Sequence, residues 1–398
     1  MEPRKNAYHA QPLPKAYPAC SFAIFTDSRM PLRIAHLTDS ISNNGVTRVL
    51  LTLTEAMASQ GDEIILLIFR QPENQPLADQ FNCSIQTLDL KADRSLPKFL
   101  RSKWDVLQSV ESDSLALDTW ATENSIDFVF IHGRPILRFY KAQAAHAVVA
   151  HNTKSKMFLP GFGSPRRALV RSRVRKIYSS QPVVTVSEGI RQDFINQFGV
   201  PGQQIETIYN PIDINKIRQL ATEQASGIPE KPYFVAAGSA VRVKRYDILI
   251  RAFARCDVDA DLVILGQGSR INEYRKLARR LGISDRLHLP GYVLNPYPFF
   301  RQALALVVSS DYEGLPTGIL EALVCGTPVV STDCPSGPGE ILQGDLARYL
   351  VPVRDVNALA KAMNVVAAHP YCYPEPLLEK FAPSGVAHAY QEFARRYI

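Results

Sequence analysis

Three features are missing from this sequence, and each absence removes a class of protein. No stretch approaches the roughly 18 uninterrupted apolar residues of a membrane-spanning helix, so we expect no transmembrane segment. The six cysteines are scattered without a C-x-x-C pair, which argues against a structural zinc site and favours a reduced, cytoplasmic protein. Residues 1–29 lack the long apolar core of a cleavable signal and are expected to form a loosely ordered extension.

The length and composition indicate a globular protein of two domains. With 398 residues, the chain exceeds the size of a single typical core. Hydrophobic residues make up 46% and charged residues 21%, which is ordinary for a soluble globular protein. The formal net charge of +7 would attract nucleic acid, phosphorylated sugars and anionic lipid alike, so the charge alone does not identify a partner.

Much of the positive charge is concentrated between residues 154 and 176. Apolar residues recur within this segment, so we predict a basic amphipathic helix on an anionic membrane surface, with a solvated helix face as the alternative. Nucleic-acid binding is not expected, because no recognised fold signature or ladder of aromatic residues accompanies the charge. The basic residues are Lys154, Lys156, Arg166, Arg167, Arg171, Arg173, Arg175 and Lys176.

The most specific pattern lies between Val307 and Thr332, where the sequence predicts a strand, a loop, a helix and a second strand. Seven residues separate Glu313 in the loop from Glu321 on the helix, so a ligand lying across the loop could meet both carboxylates. Carboxylates accept hydrogen bonds from hydroxyl groups, and the backbone N–H groups of a helix start bind anions. The stretch therefore suits a sugar nucleotide, with its diphosphate at the helix start, residues 317–319.

The pattern E-G-L-P-x-G-x-x-E-A-x-x-x-G-x-P-V-V across this stretch resembles the E-x7-E signature of the retaining glycosyltransferases of family 4. That family has the GT-B fold, in which two Rossmann-like doubly wound domains face each other across a cleft. The resemblance implies that Glu313 orients the donor sugar and that Glu321 binds the ribose. It extends over residues 32–398 and is weakest between 71 and 125.

The first half of the chain carries two further parts of the resemblance. Asn44, Gly45 and Arg48 are similar to the G-G-x-x-R loop of the family, and we expect Asn44 to tolerate the left-handed backbone of the first glycine. Two buried strands end in histidine, at His132 and His151, on the side of a parallel sheet where ligands gather. The segment AVVAHNTKSK is similar to the strand and loop that carry the active-site histidine of the family, so we favour His151.

In the second half, a basic loop follows a strand at the end of the sheet that binds phosphates. Lys244 matches the lysine that follows G-R-L in the family, while Ser239 stands where the arginine is expected. Either Arg242 supplies the second charge, or the diphosphate is held less tightly. The segment LHLPGYV is similar to the strand and turn that contact the nucleobase through the backbone, at Val293. The turn CPSGPGEIL also matches the family, with Glu340 opening a helix.

Two other patterns are set aside. Asp257, Asp259 and Asp261 look like a D-x-D metal motif, but they lie on a predicted helix-to-strand turn, at the end of the sheet opposite the ligand. Gly266 and Gly268 follow a strand as in a dinucleotide fingerprint, but the third glycine of that fingerprint is missing. We therefore expect no metal and no cofactor, and a tight turn on the nucleotide side at the two glycines.

Together these features predict an α/β protein of GT-B architecture, with an extension at 1–30 and an acceptor-side Rossmann-like domain at 31–210. A nucleotide-sugar-binding domain follows at 211–375, and a helix at 376–398 crosses back to the first domain. The resemblance implies catalytic roles for Glu313, His151 and Lys244. The donor-binding residues that it implies are Gly45, Arg242, Lys244, Val293, Glu313, Leu315, Thr317, Gly318, Ile319 and Glu321.

The function implied is transfer of a sugar, with retention, from a nucleotide diphosphate sugar to a glycan or lipid-linked acceptor in bacterial surface polysaccharide or glycoconjugate synthesis. A UDP-sugar is the favoured donor, and a peripheral position on the inner face of the plasma membrane is expected. One alternative is a GT-B-type sugar-nucleotide epimerase, which would need acid and base carboxylates on both faces of the cleft. Another is a non-catalytic subunit that binds sugar nucleotides. A Rossmann oxidoreductase is disfavoured by the broken glycine fingerprint.

Overall fold

The computed structural model describes residues 30–42, 44–73, 75–90, 103–133, 136–159 and 163–398. The predicted extension at 1–30 lies outside these ranges except for its last residue, and so does part of the region between 71 and 125. Within the described residues, no helix combines the length and the apolar character that crossing a membrane requires.

The first half of the chain forms a sheet of seven strands, flanked by helices. All strand pairings are parallel, and the spatial order is β3-β2-β1-β4-β5-β6-β7. The central strands are continuous apolar runs because helices cover both faces of such a sheet. The strands are β1 (Arg33–Thr38), β2 (Glu63–Ile68), β3 (Ser84–Thr87), β4 (Phe128–His132), β5 (His146–Ala150), β6 (Val183–Thr185) and β7 (Ile205–Thr207). The helices are α1 (Gly45–Ser59), α2 (Gln75–Ala78), α3 (Lys103–Glu123), α4 (Ile136–Phe139), α5 (Lys154–Phe158), α6 (Ser164–Tyr178) and α7 (Glu188–Asp193).

The second half forms a parallel sheet of six strands in the order β10-β9-β8-β11-β12-β13. The two sheets are the doubly wound pair that the sequence predicts. The strands are β8 (Tyr233–Ala237), β9 (Asp261–Leu265), β10 (Leu287–Gly291), β11 (Ala305–Val308), β12 (Val329–Thr332) and β13 (Leu350–Val351). The helices are α8 (Ile214–Leu220), α9 (Tyr246–Phe253), α10 (Ile271–Leu281), α11 (Tyr297–Gln302), α12 (Thr317–Val324), α13 (Pro338–Ile341), α14 (Val356–Ala368) and α15 (Pro383–Arg395).

Two segments join the halves, and they run side by side. The Ile212 N–H, on the outgoing segment, donates to the Phe381 carbonyl on the returning segment at 2.8 Å. The returning chain continues into α15, which packs on α1 and the first sheet. There the ring of Tyr390 meets Phe130 edge-on at 4.9 Å between centroids. The last helix is therefore part of the first half of the molecule, and both halves are tied at one edge.

Asn44 differs from its predicted conformation. Its backbone is extended, with φ −139° and ψ 166°, so the expected left-handed backbone is wrong. The residue is instead the N-cap of α1, where its Oδ1 accepts the Thr47 N–H at 3.0 Å. Asparagine is among the best N-caps because its side-chain oxygen replaces a missing intrahelical acceptor. Asn44 in this loop therefore indicates the start of a helix rather than a left-handed turn.

The basic segment forms α5 and α6, but most of its large apolar side chains face the protein. Val174 and Tyr178 of α6 are buried against the first half of the molecule, so they are not available to enter a membrane. Lys154 is also buried, which removes it from the predicted basic surface. Leu169 is the large apolar residue of α6 that is exposed, at 53%. The remaining seven basic residues, Lys156, Arg166, Arg167, Arg171, Arg173, Arg175 and Lys176, are exposed.

Candidate active site

A cavity of about 580 Å³ lies between the two sheets, at the carboxyl ends of their strands. Its wall on the second sheet includes Ala237 at the end of β8, Leu265 at the end of β9 and Val308 at the end of β11. The first half contributes Gly45 at the start of α1 and His151 just after β5. Ligands of open parallel sheets bind at this edge, so the cavity is the candidate site.

The structure brings together all of the predicted site residues except Arg242. That arginine lies in an exposed turn and does not line the cavity, so its predicted part in donor binding stays a prediction. The turn directs the Lys244 side chain inward instead, where its Cε lies against Gly238. The predicted residues that line the cavity are Gly45, His151, Lys244, Val293, Glu313, Leu315, Thr317, Gly318, Ile319 and Glu321.

Glu313 and Lys244 form an ion pair in the wall of the cavity. Lys244 Nζ lies 2.7 Å from Glu313 Oε1, and the Ser310 hydroxyl donates to the same oxygen at 2.5 Å. The Glu313 side chain is only 11% exposed and that of Lys244 is 25% exposed. A carboxylate held this way is well placed to accept hydrogen bonds from hydroxyl groups, while Lys244 offers its charge to an incoming phosphate.

Arg245, the third basic residue of this loop, forms ion pairs with acidic residues of the protein. Its guanidinium contacts Asp247 at 2.8 Å and Asp311 at 3.3 Å. Asp311 is shared with Arg354, which lies 2.8 Å away. The charge of Arg245 is therefore neutralised within the protein, and Lys244 is the basic side chain that this loop brings to the cavity.

The start of α12 supplies backbone donors, although fewer than the sequence predicts. The Ile319 N–H already donates to the Pro316 carbonyl at 2.9 Å, so its predicted role as a free donor is wrong. Thr317 and Gly318 are the first two residues of α12 and line the cavity, and the N–H groups at this position of a helix have no intrahelical acceptor. The helix start and its dipole therefore still favour an anion there.

Glu321 is buried below this helix start, and a residue of the first half faces it. Burial raises the pKa of Glu321, while the Arg48 guanidinium and the Thr317 hydroxyl oppose that shift. Arg48 also donates to the Leu294 carbonyl at 2.9 Å and lies 3.5 Å from the Tyr297 hydroxyl. It therefore links α1 to the second half of the molecule beside Glu321. The resemblance of its loop to G-G-x-x-R was the sequence signal, yet our predicted donor-binding set omits Arg48.

Three histidines form a hydrogen-bonded row that ends at the cavity. His151 Nε2 lies 2.9 Å from His132 Nδ1, and His132 Nε2 lies 2.9 Å from His36 Nδ1. The rings of His132 and His36 are almost completely buried, and His151 is 8% exposed. The sequence prediction treats His132 and His151 as alternative candidates for the active-site histidine, whereas in the structure their rings are hydrogen-bonded to each other. His36 lies within an apolar strand, and no motif distinguishes it.

The loop that carries Glu313 is in direct contact with the strand end that carries His151. The Thr153 hydroxyl donates to the Glu313 carbonyl at 2.8 Å. Gly314 lies so close that a Cβ at this position would be 1.9 Å from the His151 carbonyl oxygen. Only glycine permits this approach of two backbones, and it belongs to the E-G-L-P part of the sequence pattern.

Glu340, predicted to open a helix, does so in α13 and also reaches the other half of the molecule. Its carboxylate accepts the backbone N–H groups of Glu188 and Gly189, each at 2.8 Å, at the start of α7. The Tyr209 hydroxyl donates to it at 3.3 Å. A residue of the second half therefore caps a helix of the first half.

The two patterns that the sequence analysis sets aside lie where it predicts. The aspartates are at the amino end of β9, where Asp259 pairs with Lys231 and Asp261 with His288, whereas the cavity lies at the other end of that strand. Gly266 and Gly268 form a tight turn. A Cβ at Gly266 would be 2.0 Å from the Gly238 carbonyl oxygen, so the glycines serve close backbone packing.

Two family models match this chain, one for each half. The model described as Glycosyltransferase Family 4 matches residues 43–216. The model described as Glycosyl transferases group 1 matches residues 219–382. The two matches adjoin near the outgoing segment between the sheets, so the division of the sequence follows the division of the structure.

Relatives whose names state an activity are similar to this chain over much of its length. A Campylobacter jejuni protein named N-acetylgalactosamine-N,N'-diacetylbacillosaminyl-diphospho-undecaprenol 4-alpha-N-acetylgalactosaminyltransferase is 26% identical, over 82% of this chain and 88% of its own length. The lipopolysaccharide 1,6-galactosyltransferase of Escherichia coli is 29% identical, over 53% of this chain and 59% of its own. Among solved structures, Anabaena HepE in complex with UDP and glucose covers 92% of this chain and 100% of its own, with a TM-score of 0.70 and 17% identity.

Proposed function

Because this chain belongs to the GT-B glycosyltransferases of family 4, we propose that it transfers a sugar, with retention, from a UDP-sugar to a glycan or lipid-linked acceptor. The observation that carries this proposal is the Lys244–Glu313 ion pair beside the start of α12. It places a cation for the leaving diphosphate next to an acceptor for the hydroxyl groups of the sugar.

In the proposed reaction, the bond between the anomeric carbon and the diphosphate breaks while the acceptor oxygen bonds to the same face of that carbon. The acceptor proton passes to the departing phosphate oxygen. Lys244 and the N–H groups of Thr317 and Gly318 stabilise the charge that grows on the diphosphate. Glu313 orients the sugar, and His151 contacts it near its reacting face.

The remaining contacts of the donor are proposed from the family resemblance, and the lining of the cavity supports them. Glu321 binds the ribose hydroxyls, and the Arg48 cation beside it opposes the rise in its pKa that burial causes. Val293 contacts the nucleobase through its backbone, and Leu315 lines the donor side. Gly45, at the start of α1, allows the first half of the molecule to approach the donor closely.

The contacts made by the two glutamates favour a front-face transfer, which retains the configuration of the anomeric carbon. Among the described residues, Glu313 and Glu321 are the carboxylates that line the cavity. Retaining glycosidases instead use a free nucleophile and an acid about 5 Å apart. Here Glu313 is bound to Lys244 and Ser310, and Glu321 faces Arg48, so both are arranged as binding groups.

The choice of donor and acceptor rests on the relatives. The Anabaena structure holds UDP and glucose, and the names of the Campylobacter and Escherichia relatives specify an undecaprenol-linked substrate and lipopolysaccharide. We infer a role in bacterial surface glycan synthesis. We also propose the domain limits 31–210 and 211–375, with the segment 376–398 crossing back to the first domain.

The exposed basic residues of α5 and α6 support a position on an anionic membrane surface, beside a lipid-linked acceptor. Each Lys or Arg near such a surface contributes about 1 kcal/mol, so engagement of half of these residues gives a useful affinity that falls with salt. Because Val174 and Tyr178 of α6 are buried in the protein, this binding is electrostatic rather than insertion into the bilayer.

The test is a thermal-shift panel of nucleotide diphosphate sugars, with Glu321→Ala as the matched control variant. A true donor at about 100 times its Kd stabilises the folded protein by about 2.7 kcal/mol, which is a clear rise in the unfolding temperature. We expect a UDP-sugar to give this rise in the wild type and a smaller one in the variant. The configuration of the product, read by proton NMR, should be that of the donor. An inverted product, or a panel without any stabilising sugar, would refute the proposal.

A further inference from the structure

We propose that His132 and His36 are positioning residues that hold His151 as its Nδ1–H tautomer, so that the imidazole presents a fixed hydrogen-bond donor to the cavity. The proposal deepens the proposed function and rests on it for the role of that donor. The tautomer itself is a property of the three rings alone and can be measured without any sugar.

The geometry leaves little freedom to the three rings. Both ring-to-ring distances are 2.9 Å, and each bond joins an Nδ1 of one ring to an Nε2 of the next. His36 stacks on Phe130, with 5.3 Å between ring centroids, and Tyr390 of α15 lies 6.3 Å away. His132 lies between its two neighbours and uses both of its nitrogens. None of the rings can turn over without breaking a hydrogen bond inside the protein core.

All three rings are neutral at physiological pH. Burial lowers the pKa of His36 to about 3, and burial together with the nearby Lys154 cation lowers that of His151 to about 3. Burial lowers the pKa of His132 far below its usual value, and the two neighbouring histidines add to the effect. A neutral imidazole carries one ring hydrogen, so the row carries three.

Two of these hydrogens make the two ring-to-ring bonds, and the third must sit at one end of the row. One end is His36 Nε2, which is buried and has no hydrogen-bond partner among the described residues. The other end is His151 Nδ1, on a ring that lines the cavity. His36 Nε2 stays unpaired in either arrangement, and an unpaired buried N–H is the rarer and costlier case.

The third hydrogen therefore belongs on His151 Nδ1. In that arrangement His36 donates to His132, and His132 donates to His151 Nε2. The donor at Nδ1 is then available to an oxygen of the sugar or of a water molecule in the cavity. Which nitrogen of a histidine acts as the donor is set by the partner of the other nitrogen, and here that partner is His132.

The experiment uses two variants that replace one nitrogen of His132 at a time. The side-chain amide of asparagine occupies about the position of Nδ1, so His132→Asn keeps a donor to His151 Nε2. The amide of glutamine occupies about the position of Nε2, so His132→Gln keeps the contact with His36 and loses the one with His151. Both replacements are polar and neutral.

The tautomer of His151 is read from a two-bond proton–nitrogen correlation spectrum of histidine-labelled protein, with His151→Gln used for assignment. We expect the Nδ1–H form in the wild type and in His132→Asn, and a mixture of both forms in His132→Gln. The Nε2–H form in the wild type would overturn the proposal, and so would an unchanged tautomer in His132→Gln. Because the wild-type measurement alone decides the tautomer, the test survives even if a variant fails to fold.

Enzyme kinetics test whether the fixed donor on His151 serves the transfer reaction. Loss of one oriented hydrogen bond predicts a fall in kcat of about tenfold for His132→Gln, with the donor KM unchanged and His132→Asn close to the wild type. Equal kcat values in both variants would show that the tautomer does not serve the transfer. If no sugar nucleotide binds at all while the wild-type spectrum shows the Nδ1–H form, the proposed function fails and the tautomer assignment stands.

Discussion

Replacing Glu340 by alanine should loosen the contact between the two halves of the molecule at the start of α7. Its carboxylate accepts two backbone N–H groups at 2.8 Å, from Glu188 and Gly189. A hydrogen bond to a charged group contributes about 1.5–3 kcal/mol, and the lower figure applies because the site is partly exposed. Loss of both bonds then costs about 3 kcal/mol, which corresponds to about a 100-fold increase in local opening.

Amide hydrogen exchange measures this opening directly, because these two N–H groups at the start of α7 lose their acceptor. Protection of Glu188 and Gly189 should fall by about 100-fold, while the Ile190 N–H keeps its acceptor, the Ser187 hydroxyl, at 3.3 Å. Glu379→Gln, which also removes one exposed negative charge, should leave all three amides unchanged. A change of less than threefold in Glu340→Ala would refute the assignment of Glu340 as a link between the halves.

Three further predictions concern the site and the basic surface. Glu321→Ala should raise the donor KM about tenfold with a smaller effect on kcat. Glu313→Gln should lower kcat about 100-fold, because the contacts of the sugar change as the glycosidic bond breaks. Equal effects on both parameters in both variants would contradict these roles. Activity should survive EDTA, since Lys244 and the start of α12 provide the positive charge, and loss of turnover restored by manganese would contradict this. Charge reversal of Arg171, Arg173 and Arg175 to Glu should abolish sedimentation with anionic vesicles at low salt and leave donor hydrolysis intact; a wild type that ignores such vesicles would show that the basic surface is only solvated.

The sequence was sufficient wherever a local pattern carries its own physical reason. Apolar runs bounded by turns predicted strands such as Phe128–His132 at their observed limits, because buried parallel strands need apolar side chains on both faces. Almost all of the predicted site residues line the cavity, because strand ends and helix starts fix where side chains can meet a ligand. The long helix α3 was not predicted, since its polar and apolar residues do not form a clear stripe.

Several differences between prediction and structure arise because the path of the chain and contacts with residues distant in sequence decide the outcome. Arg242 and Lys244 look equivalent in the loop, but only the path of the turn directs one of them into the cavity. Lys154 looks like part of a basic surface until the packing of α5 buries it. The roles of Arg48 and Glu340 depend on residues of the opposite half, and no local window of sequence contains both members of such a pair.

The close contact between Gly314 and the His151 carbonyl also determines how this enzyme can open. At this edge the halves are in backbone contact, and the Thr153 hydroxyl ties them further. Any rotation that widened the cavity here would first have to separate two main chains. The Arg48 contact with Leu294, by contrast, is an exposed side-chain bond that can be broken and remade. Opening of the cavity therefore requires main chains to separate on the Gly314 side, whereas on the Arg48 side the hydrogen bond to be broken is made by a side chain.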